Sequence, residues 1–316
     1  MAVRTESAAD NESLAANLPE RRFRTLWGDV LLRFRRHTLA LSGVFVLALL
    51  VLGVLVGPLV YTVDPEYSFI VDDLESINQM PSIAYPLGTD DLGRDSLARN
   101  LFGGRISLAV GVVAMLVAIT FGTLVGVLSG YFRRLDNPLM RFTDLMLALP
   151  SLPLLLVIIM LFRDSLKAWL GPELGIFLLV VFVIGILGWM PTARVVRGSV
   201  LSVKEKEFVE AAVSVGTRQH TIVWQHILPN VLSPIIVSAT LGVAAAILTE
   251  SALSFLGLGF PSNVPTWGRL LFENKDFITQ NPWLVIWPGM FISLTILSIN
   301  FIGDGLRDAL DPRQRR

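Results

Sequence analysis

Six long stretches without a charged side chain constrain this chain more than any other sequence feature. A helix needs about 20 apolar residues to cross a hydrocarbon layer of about 30 Å, and backbone polar groups in lipid must be paired within the segment. The stretches, of which the third is the shortest, are Thr38–Val63, Ile106–Phe132, Leu145–Phe162, Leu174–Ala193, Ile227–Thr249 and Phe277–Gly303. The sequence therefore predicts an all-α integral membrane protein with six transmembrane helices.

The composition agrees with a chain that lipid solvates. Of 316 residues, 53% are hydrophobic and 16% are charged, whereas soluble domains carry about 25% charged residues. The formal net charge of zero argues against a nucleic-acid partner, which requires a basic face. The absence of cysteine excludes disulfides, thiolate metal sites and a cysteine nucleophile.

The distribution of positive charge predicts the orientation. If the N-terminus lies inside, most of the 26 Lys and Arg residues fall in inner segments, as the positive-inside rule requires. The first stretch is too long, and too far from Met1, for a cleaved signal peptide, so we expect a retained anchor. We therefore expect a multi-pass membrane protein with both termini cytoplasmic.

These boundaries divide the chain into five parts. They are a cytoplasmic tail with a basic interfacial helix (1–37), the first transmembrane helix (38–63), an extracytoplasmic loop (64–105), a five-helix core (106–308) that contains a cytoplasmic loop at 199–230, and a cytoplasmic tail (309–316).

The segment before the first stretch has two expected parts. The first twenty residues are rich in Ala, Ser, Asn and Glu, which predicts disorder. Phe23, Trp27, Val30 and Phe34 then recur among arginines at spacings of four, three and four, which indicates an amphipathic helix on the inner membrane surface. A simple cytoplasmic extension of the first span is the alternative.

The outer loop is acidic and ends in a patterned segment, Tyr85 to Asp95. Pro86 and Gly88 predict a turn, and Thr89 or Asp90 could cap the helix that leads into the second span. Two interpretations stay open: a capped turn that aims this helix, or a surface that an external partner meets.

The inner loop carries signals for a helical hairpin. Ser202 and Glu205 fit a capping box that starts a helix, and Gly216 fits the left-handed residue that ends one. The sequence therefore predicts a helix over Val203–Val215, followed by a second amphipathic stretch, Ile222–Leu228, that ends at Pro229.

One face of the predicted hairpin helix is apolar. Phe208, Ala212 and Val215 share it, with Ala211 beside them, and the small residues would allow another backbone to come close. Such a hairpin could transmit force from a docked soluble partner, or it could pack on its own protein.

The same loop resembles the EAA motif of ABC importer permeases. The matching residues are Glu210-Ala211-Ala212, Gly216 after three residues, and Leu228-Pro229 after eleven more. Where many members have an aliphatic residue two places before Leu-Pro, this chain has His226, and the run His226 to Asn230 is similar to that of the peptide-transporter branch.

Two further segments resemble the C-type permeases of dipeptide and oligopeptide importers, and the likeness extends over essentially the whole chain. One is the outer-loop run from Pro86 to Asp95, which contains Gly88, Thr89, Asp90, Gly93, Arg94 and Asp95. The other is Leu253–Gly259 followed by Pro265–Gly268, after the fifth span.

The resemblance implies a permease subunit of a prokaryotic cytoplasmic membrane that works with several partners. These are a second related permease, two ATP-binding subunits that hold ATP and magnesium, and an extracytoplasmic peptide-binding protein that meets the outer-loop residues. The permease itself would carry no cofactor. The resemblance also implies which residues form the contact with an ATP-binding subunit: Glu210, Ala211, Ala212, Gly216, Leu228 and Pro229.

Other readings of these features stay open. By itself, Glu210 could be a solvated residue paired with Lys206. The cargo could be di- or oligopeptides, or nickel chelates or glutathione as in related permeases.

The sequence also bears on two other function classes, enzymes and ion-coupled carriers. None of the four lysines follows a glycine, so the chain has no P-loop, and it has no Gly-x-Ser-x-Gly elbow or metal-binding histidine spacing, so we expect no enzyme. An ion-coupled carrier would place ionisable groups inside the bundle, and Glu250 is the one candidate. It could be a coupling site, or an acid at a helix end near the outer interface.

Overall fold

A computed structural model describes residues 26–68 and 76–311, and in these ranges ten helices carry the fold. They are α1 (Leu26–Phe34), α2 (Thr38–Val60), α3 (Ser96–Tyr131), α4 (Arg133–Ala148), α5 (Ser151–Leu170), α6 (Pro172–Lys204), α7 (Glu207–Ser214), α8 (Leu232–Phe255), α9 (Trp267–Asn274) and α10 (Trp283–Leu310). A short irregular helical lead-in, residues 219–231, precedes α8 without a break.

The all-helical membrane architecture is confirmed. In the described part of the chain, five helical segments are long and apolar enough to cross a membrane, and six if α4 and α5 form one bent span. The third predicted span, over Leu145–Phe162, is not one continuous helix, because α4 and α5 meet there at 87°. Pro150 lacks an amide hydrogen and pushes Leu149 into an extended conformation, which breaks the helix.

The second span begins earlier than the charge-free stretch predicts. Asp95 caps α3 by accepting a hydrogen bond from the Ala98 amide at 2.9 Å, so the expectation of a cap at Thr89 or Asp90 is wrong. The loop that was expected to reach residue 105 therefore ends at Asp95. Arg99 and Arg105 lie within the helix because each finds acceptors inside the protein.

Arg105 shows how one such charge is accommodated. Its guanidinium donates to the carbonyls of Val54 at 2.9 Å and Leu55 at 2.8 Å. Pro58, inside α2, has no amide hydrogen to offer the Val54 carbonyl four residues earlier. The arginine therefore satisfies a backbone acceptor that the proline leaves open, and it joins α2 to α3.

The core is centred on the packing of α3 against α6. Gly122, Gly126 and Gly130 lie one turn apart on α3, and a Cβ on each would come within 2.7 Å of a β-branched side chain of α6. Small residues let two helix backbones approach closely in a membrane. Buried residues of α3, α5, α6 and α8 complete the core.

The bundle has two ends, which we name by what they carry. The terminal end holds α1 and the last turn of α10, where Arg33 donates to the Asp311 carbonyl at 3.5 Å. The loop end holds the segment 76–95 and α9. Since α3 starts at the loop end and spans the bundle, the C-terminal turns of α3 and the hairpin that packs on them lie at the terminal end.

The segment before the first span is a separate helix in its described part. A break at residues 35–37 divides α1 from α2, and His37 starts α2 by accepting a hydrogen bond from the Ala40 amide at 3.1 Å. A simple extension of α2 is therefore wrong, whereas the position of α1 on a membrane surface stays a prediction. Phe23 and the predicted disorder of residues 1–20 lie outside the described residues.

Candidate functional site

The hairpin helix α7 is shorter than the sequence predicts. The fourth span, α6, continues to Lys204. Glu205 and Lys206 are not helical, and α7 covers Glu207–Ser214. The predicted capping box at Ser202 and Glu205 is therefore wrong, since both residues precede the start of α7. Ser202 lies inside α6, where backbone donors already have intrahelical partners, and α7 begins without a side-chain cap.

The end of α7 is built as the sequence predicts. Gly216 has a φ of +82°, the left-handed conformation that glycine adopts without a Cβ penalty. Its amide donates to the Val213 carbonyl at 2.9 Å, and the Thr217 amide donates to the Ala212 carbonyl at 3.1 Å. These two bonds form a Schellman motif, which turns the chain sharply back toward the bundle.

Val209, with Ala212 beside it, anchors α7 to the bundle. Val209 is 2% exposed and belongs to a cluster with Val127, Val200, Ile222 and Ile227 at the terminal end of α3, α6 and the lead-in to α8. The cluster joins α7 to both spans that flank it.

The apolar residues of α7 divide between the bundle and the exposed surface. Ala212 is half-buried, whereas Phe208 is exposed and Val215 is 85% exposed. The apolar face predicted over Phe208, Ala212 and Val215 is therefore mostly open to a partner, and Val209 beside it reaches the bundle.

The outward surface of α7 is available for a partner. Glu210, Ala211 and Gly216 are exposed, and a Cβ on Gly216 would meet no atom within 4 Å. No ion pair joins Glu210 to Lys206 in the described ranges. The helix thus presents a free carboxylate, a small residue and exposed apolar side chains together, which suits a groove on a second protein.

The second arm of the hairpin runs straight into the fifth span. Residues Ile222–Ile227 form a π-helix and Leu228–Val231 a 3₁₀ turn, so the predicted end at Pro229 is wrong. Leu228 is half-buried, and Pro229 is exposed within the 3₁₀ turn. A single helical run of 37 residues therefore reaches from Gln219 to Phe255.

Buried ion pairs hold the loop end together. Arg99, 1% exposed, donates to Asp90 and Glu273, each at 2.8 Å, and to the Ser262 carbonyl at 3.1 Å. Arg94 also donates to Asp90 at 2.8 Å and to Glu273 at 3.3 Å. This set of residues, which we name the outer ion cluster, joins the segment 76–95 to α9.

All six outer-loop residues named from the sequence are buried in the chain: Gly88, Thr89, Asp90, Gly93, Arg94 and Asp95. Thr89 donates to the Ser76 carbonyl at 2.5 Å, and Asp95 accepts from Tyr61 at 2.6 Å. Burial, and then the charge of Asp90, raise the pKa of the neighbouring Asp91 carboxyl. These residues shape the loop, and their contact with a binding protein stays a prediction.

The pattern of the outer loop points to Asp90 and Arg94, but reasoning from the sequence missed Arg99 and Glu273. Arg99 was assigned to the loop and Glu273 lies 174 positions away. The available signal for this contact was that Arg99 and Glu273, which have opposite charges, each lie next to otherwise apolar segments.

Glu250 is completely buried, with 0% exposure. Ser254 donates to its Oε1 at 2.7 Å and Ser107 of α3 donates to its Oε2 at 3.1 Å. It lies in the last turns of α8 but inside the protein, and within the described ranges it forms no ion pair. Its Oε2 links α8 to α3, and its Oε1 is held by Ser254 of α8 itself.

A cavity of about 680 Å³ opens between α3, α5, α6 and α8. Its lining is largely apolar, and hydroxyl groups come from Ser151, Thr192, Ser238 and Thr249. None of the described residues that line it is charged, and the described ranges contain no group of three or more His, Cys, Asp or Glu residues that could hold a metal ion.

Two family models match the chain. Residues 118–316 match the family "Binding-protein-dependent transport system inner membrane component". Residues 25–81 match the "N-terminal TM domain of oligopeptide transport permease C".

Characterised relatives match over almost the full length. The oligopeptide transport system permease protein OppC of Haemophilus influenzae is 39% identical over 92% of this chain and 90% of its own. The dipeptide transport system permease protein DppC of Alkalihalophilus pseudofirmus is 39% identical over 92% of this chain and 90% of its own. The glutathione transport system permease protein GsiD of Pectobacterium atrosepticum is 36% identical over 96% of this chain and 97% of its own.

A solved structure shares the fold. A chain of the MetNI methionine ABC transporter, in an inward-facing conformation, superposes with a TM-score of 0.53 at 16% identity. The match covers 66% of this chain and 94% of that one.

Proposed function

Because the chain belongs to the family of binding-protein-dependent transport system inner membrane components, we propose that it is the permease subunit of an ATP-driven importer of di- and oligopeptides. A second related permease completes the pathway, two ATP-binding subunits supply the energy, and an external binding protein delivers the cargo. The chain has no ATP site of its own in this proposal, so hydrolysis and its magnesium belong to the partner subunits.

The observation that carries the proposal is the exposed helix α7 on an anchored hairpin. Val209 holds it to both neighbouring spans, while Glu210 and Ala211 point away from the bundle. A helix fixed in this way cannot move without moving the spans, since packed elements transmit displacement. A partner that grips α7 and changes shape on ATP hydrolysis would therefore tilt the bundle.

The orientation follows from the same surface. Both described ends of the chain and α7 share the terminal end of the bundle, and basic residues are concentrated there. By the positive-inside rule this end faces the cytoplasm. The loop end then faces the binding protein, to which it offers exposed residues such as Ile83 and Leu92, beside the buried residues that shape the loop.

The uncharged cavity supports the choice of a peptide pathway. It lies between spans, and the second permease subunit would close its open side. A largely apolar wall with a few hydroxyl groups accepts peptides of varied sequence, because it offers no fixed charge that would select one side chain. Selection among cargoes then belongs to the binding protein.

Import of a labelled tripeptide into proteoliposomes tests the proposal. The complex of this chain with its partners should import only with ATP on the α7 side and binding protein on the loop side. Glu210→Arg should abolish import and leave the complex assembled, because it reverses the charge at the partner contact. Asp304→Arg, at an exposed acid in the last turns of α10, is the control for a charge reversal away from that contact and from the loop end.

Two results would contradict the proposal. One is import that continues without ATP and stops when an ionophore collapses the ion gradient, as in an ion-coupled carrier. The other is wild-type import by Glu210→Arg.

Glutathione is a second candidate cargo. The GsiD relative, a glutathione transport system permease protein, matches 97% of its own length. Competition of unlabelled glutathione against the labelled tripeptide distinguishes the two cargoes.

A further inference from the structure

We infer that Glu250 is the positioning residue through which docking at the loop end reaches the fifth span and, along it, the hairpin at the terminal end. This inference rests on the proposed function. It assigns a role to Glu250, the one carboxyl with 0% exposure among the described residues, which lies within a candidate membrane span, where ionisable side chains are rare and generally functional.

The first part of the argument is the geometry around the carboxyl. Glu250 Oε2 accepts from Ser107 of α3, and the same Ser107 oxygen accepts from the Trp267 amide at 3.2 Å. Glu250 Oε1 accepts from Ser254, whose hydroxyl lies 3.5 Å from that of Thr266. One carboxyl therefore ties α8 to α3 and to the start of α9.

The start of α9 has no freedom to move independently of these contacts. Trp267 is 0% exposed, and its indole donates to the Asn100 carbonyl at 3.1 Å. A Cβ on Gly268 would come within 2.5 Å of the Ser251 backbone. A displacement of α9 is thus passed directly to α3 and α8.

The second part is the connection from α9 to the outer surface. The outer ion cluster joins Glu273, in the last turns of α9, to Asp90 and Arg94 of the segment 76–95. Leu92, between these two residues, is exposed. A partner that docks on this loop would therefore act on a buried, hydrogen-bonded unit that includes α9.

The third part is the continuity of the fifth span. The run from Gln219 to Phe255 is unbroken, about 55 Å long at 1.5 Å per residue. Glu250 lies near one end of it. At the other end, the ring of His226 lies 6.4 Å from that of Phe208 on α7. The same helical run thus contacts α3 and the start of α9 through Glu250 at one end, and at the other end it contacts α7, the helix that we assign to the ATP-binding partner.

A carboxyl suits this position because it accepts from several donors at once. An apolar replacement would leave the hydroxyls of Ser107 and Ser254 without their acceptor and would loosen the contact between α8, α3 and α9. A glutamine keeps the length and one acceptor oxygen, and its amide can donate to the other serine. We therefore expect Glu250→Gln to preserve the link and Glu250→Ala to weaken it.

The test measures ATP hydrolysis by the complete complex in nanodiscs, with and without peptide-loaded binding protein. In Glu250→Ala, we expect basal hydrolysis within a factor of about two of wild type, whereas stimulation by the binding protein is lost. The concentration of binding protein that gives half-maximal binding should stay unchanged, because docking precedes transmission. Glu250→Gln should retain most of the stimulation, and Ser107→Ala should lose part of it.

Ser293→Ala is the matched control, since it removes a hydroxyl that bonds only within α10. Full stimulation in Glu250→Ala would overturn the inference. So would a proportional loss of basal and stimulated hydrolysis, which indicates a general structural role, or weaker binding of the binding protein. If wild type itself shows no hydrolysis or no stimulation, the proposed function fails instead.

Discussion

Removal of Arg99 should open the loop end of this protein locally without unfolding the bundle. Arg99 makes three hydrogen bonds, to Asp90, Glu273 and the Ser262 carbonyl, from a position with 1% exposure. Arg99→Ala leaves two carboxylates in a site from which water is largely excluded. Arg94 still faces both of them, so the compensation is reduced but not abolished.

The size of the effect follows from the burial of the partners. Loss of one member of a buried ion pair costs about 3–5 kcal/mol, because the remaining charge is desolvated and unpaired. Since 1.4 kcal/mol corresponds to about a factor of ten in an equilibrium constant, local opening should become about 10² to 10⁴ times more populated. The carbonyl of Ser262 adds a further unsatisfied acceptor.

Labelling of a buried cysteine measures this opening. The chain has no cysteine, so Ala98→Cys, at a position with 2% exposure one residue before Arg99, provides a unique reporter for a maleimide. Its labelling rate in the Arg99→Ala background should rise in proportion to the open population. Lys275→Ala is the control, because its ion pair with Asp276 is exposed and contributes about 0–1 kcal/mol.

A rise of less than about tenfold in Arg99→Ala would refute the reasoning, since it corresponds to less than about 1.4 kcal/mol. A similar rise in Lys275→Ala would also refute it, because burial would then not be the source of the effect.

Three further predictions concern packing, the turn and orientation. Gly122→Ala should lower the thermal unfolding temperature of the purified complex, at a cost of about 1–3 kcal/mol, because the new Cβ would lie 2.7 Å from α6; Gly53→Ala, with open space around it, should not. Gly216→Ala forces a φ of +82° on alanine at a cost of about 1–2 kcal/mol, so peptide import should fall in parallel with ATP hydrolysis. Gly198→Ala, also in open space, should match wild type, and equal import rates for the two variants would contradict the role of the turn at Gly216. A reporter enzyme fused after Arg316 should be active only in the cytoplasm, and activity outside would overturn the orientation.

The membrane architecture could be predicted from the sequence because lipid imposes a length and a composition on each span. The limits of the spans could not, since they depend on partners far away in the chain. Arg99 and Arg105 interrupt the apolar pattern, yet both lie within α3 because Asp90, Glu273 and backbone carbonyls accept their hydrogen bonds. A count of charges cannot distinguish a solvated arginine from one paired inside the protein.

The hairpin shows the same division between local and distant information. The turn at Gly216 is set by the backbone of one residue, and the sequence predicted it. The start of α7 is set by where α6 ends, and the Ser202 to Glu205 pattern suggested a cap that the continuous helix does not need. The spacing identified Phe208, Ala212 and Val215 as one apolar face, but it could not show that Val209 is the residue that meets the bundle.

Glu250 marks the limit of what a sequence can reveal about a buried polar group. Its nearest donors come from α3 and from one turn further along α8, and only the fold brings Ser107 to it. The pattern identifies an acid in an apolar stretch, whereas its partners determine whether it binds an ion, faces water or links helices.

The proposed function requires that an ATP-binding subunit grips α7. A photo-reactive cross-linker on Ala211→Cys, unique in this cysteine-free chain, tests this contact directly in the assembled complex, with Ile83→Cys, at a fully exposed residue of the loop end, as the control. The product from Ala211→Cys should contain the ATP-binding subunit, and the product from Ile83→Cys should never contain it. A cross-link from Ala211→Cys that contains only this chain, or no nucleotide-hydrolysing protein, would contradict it.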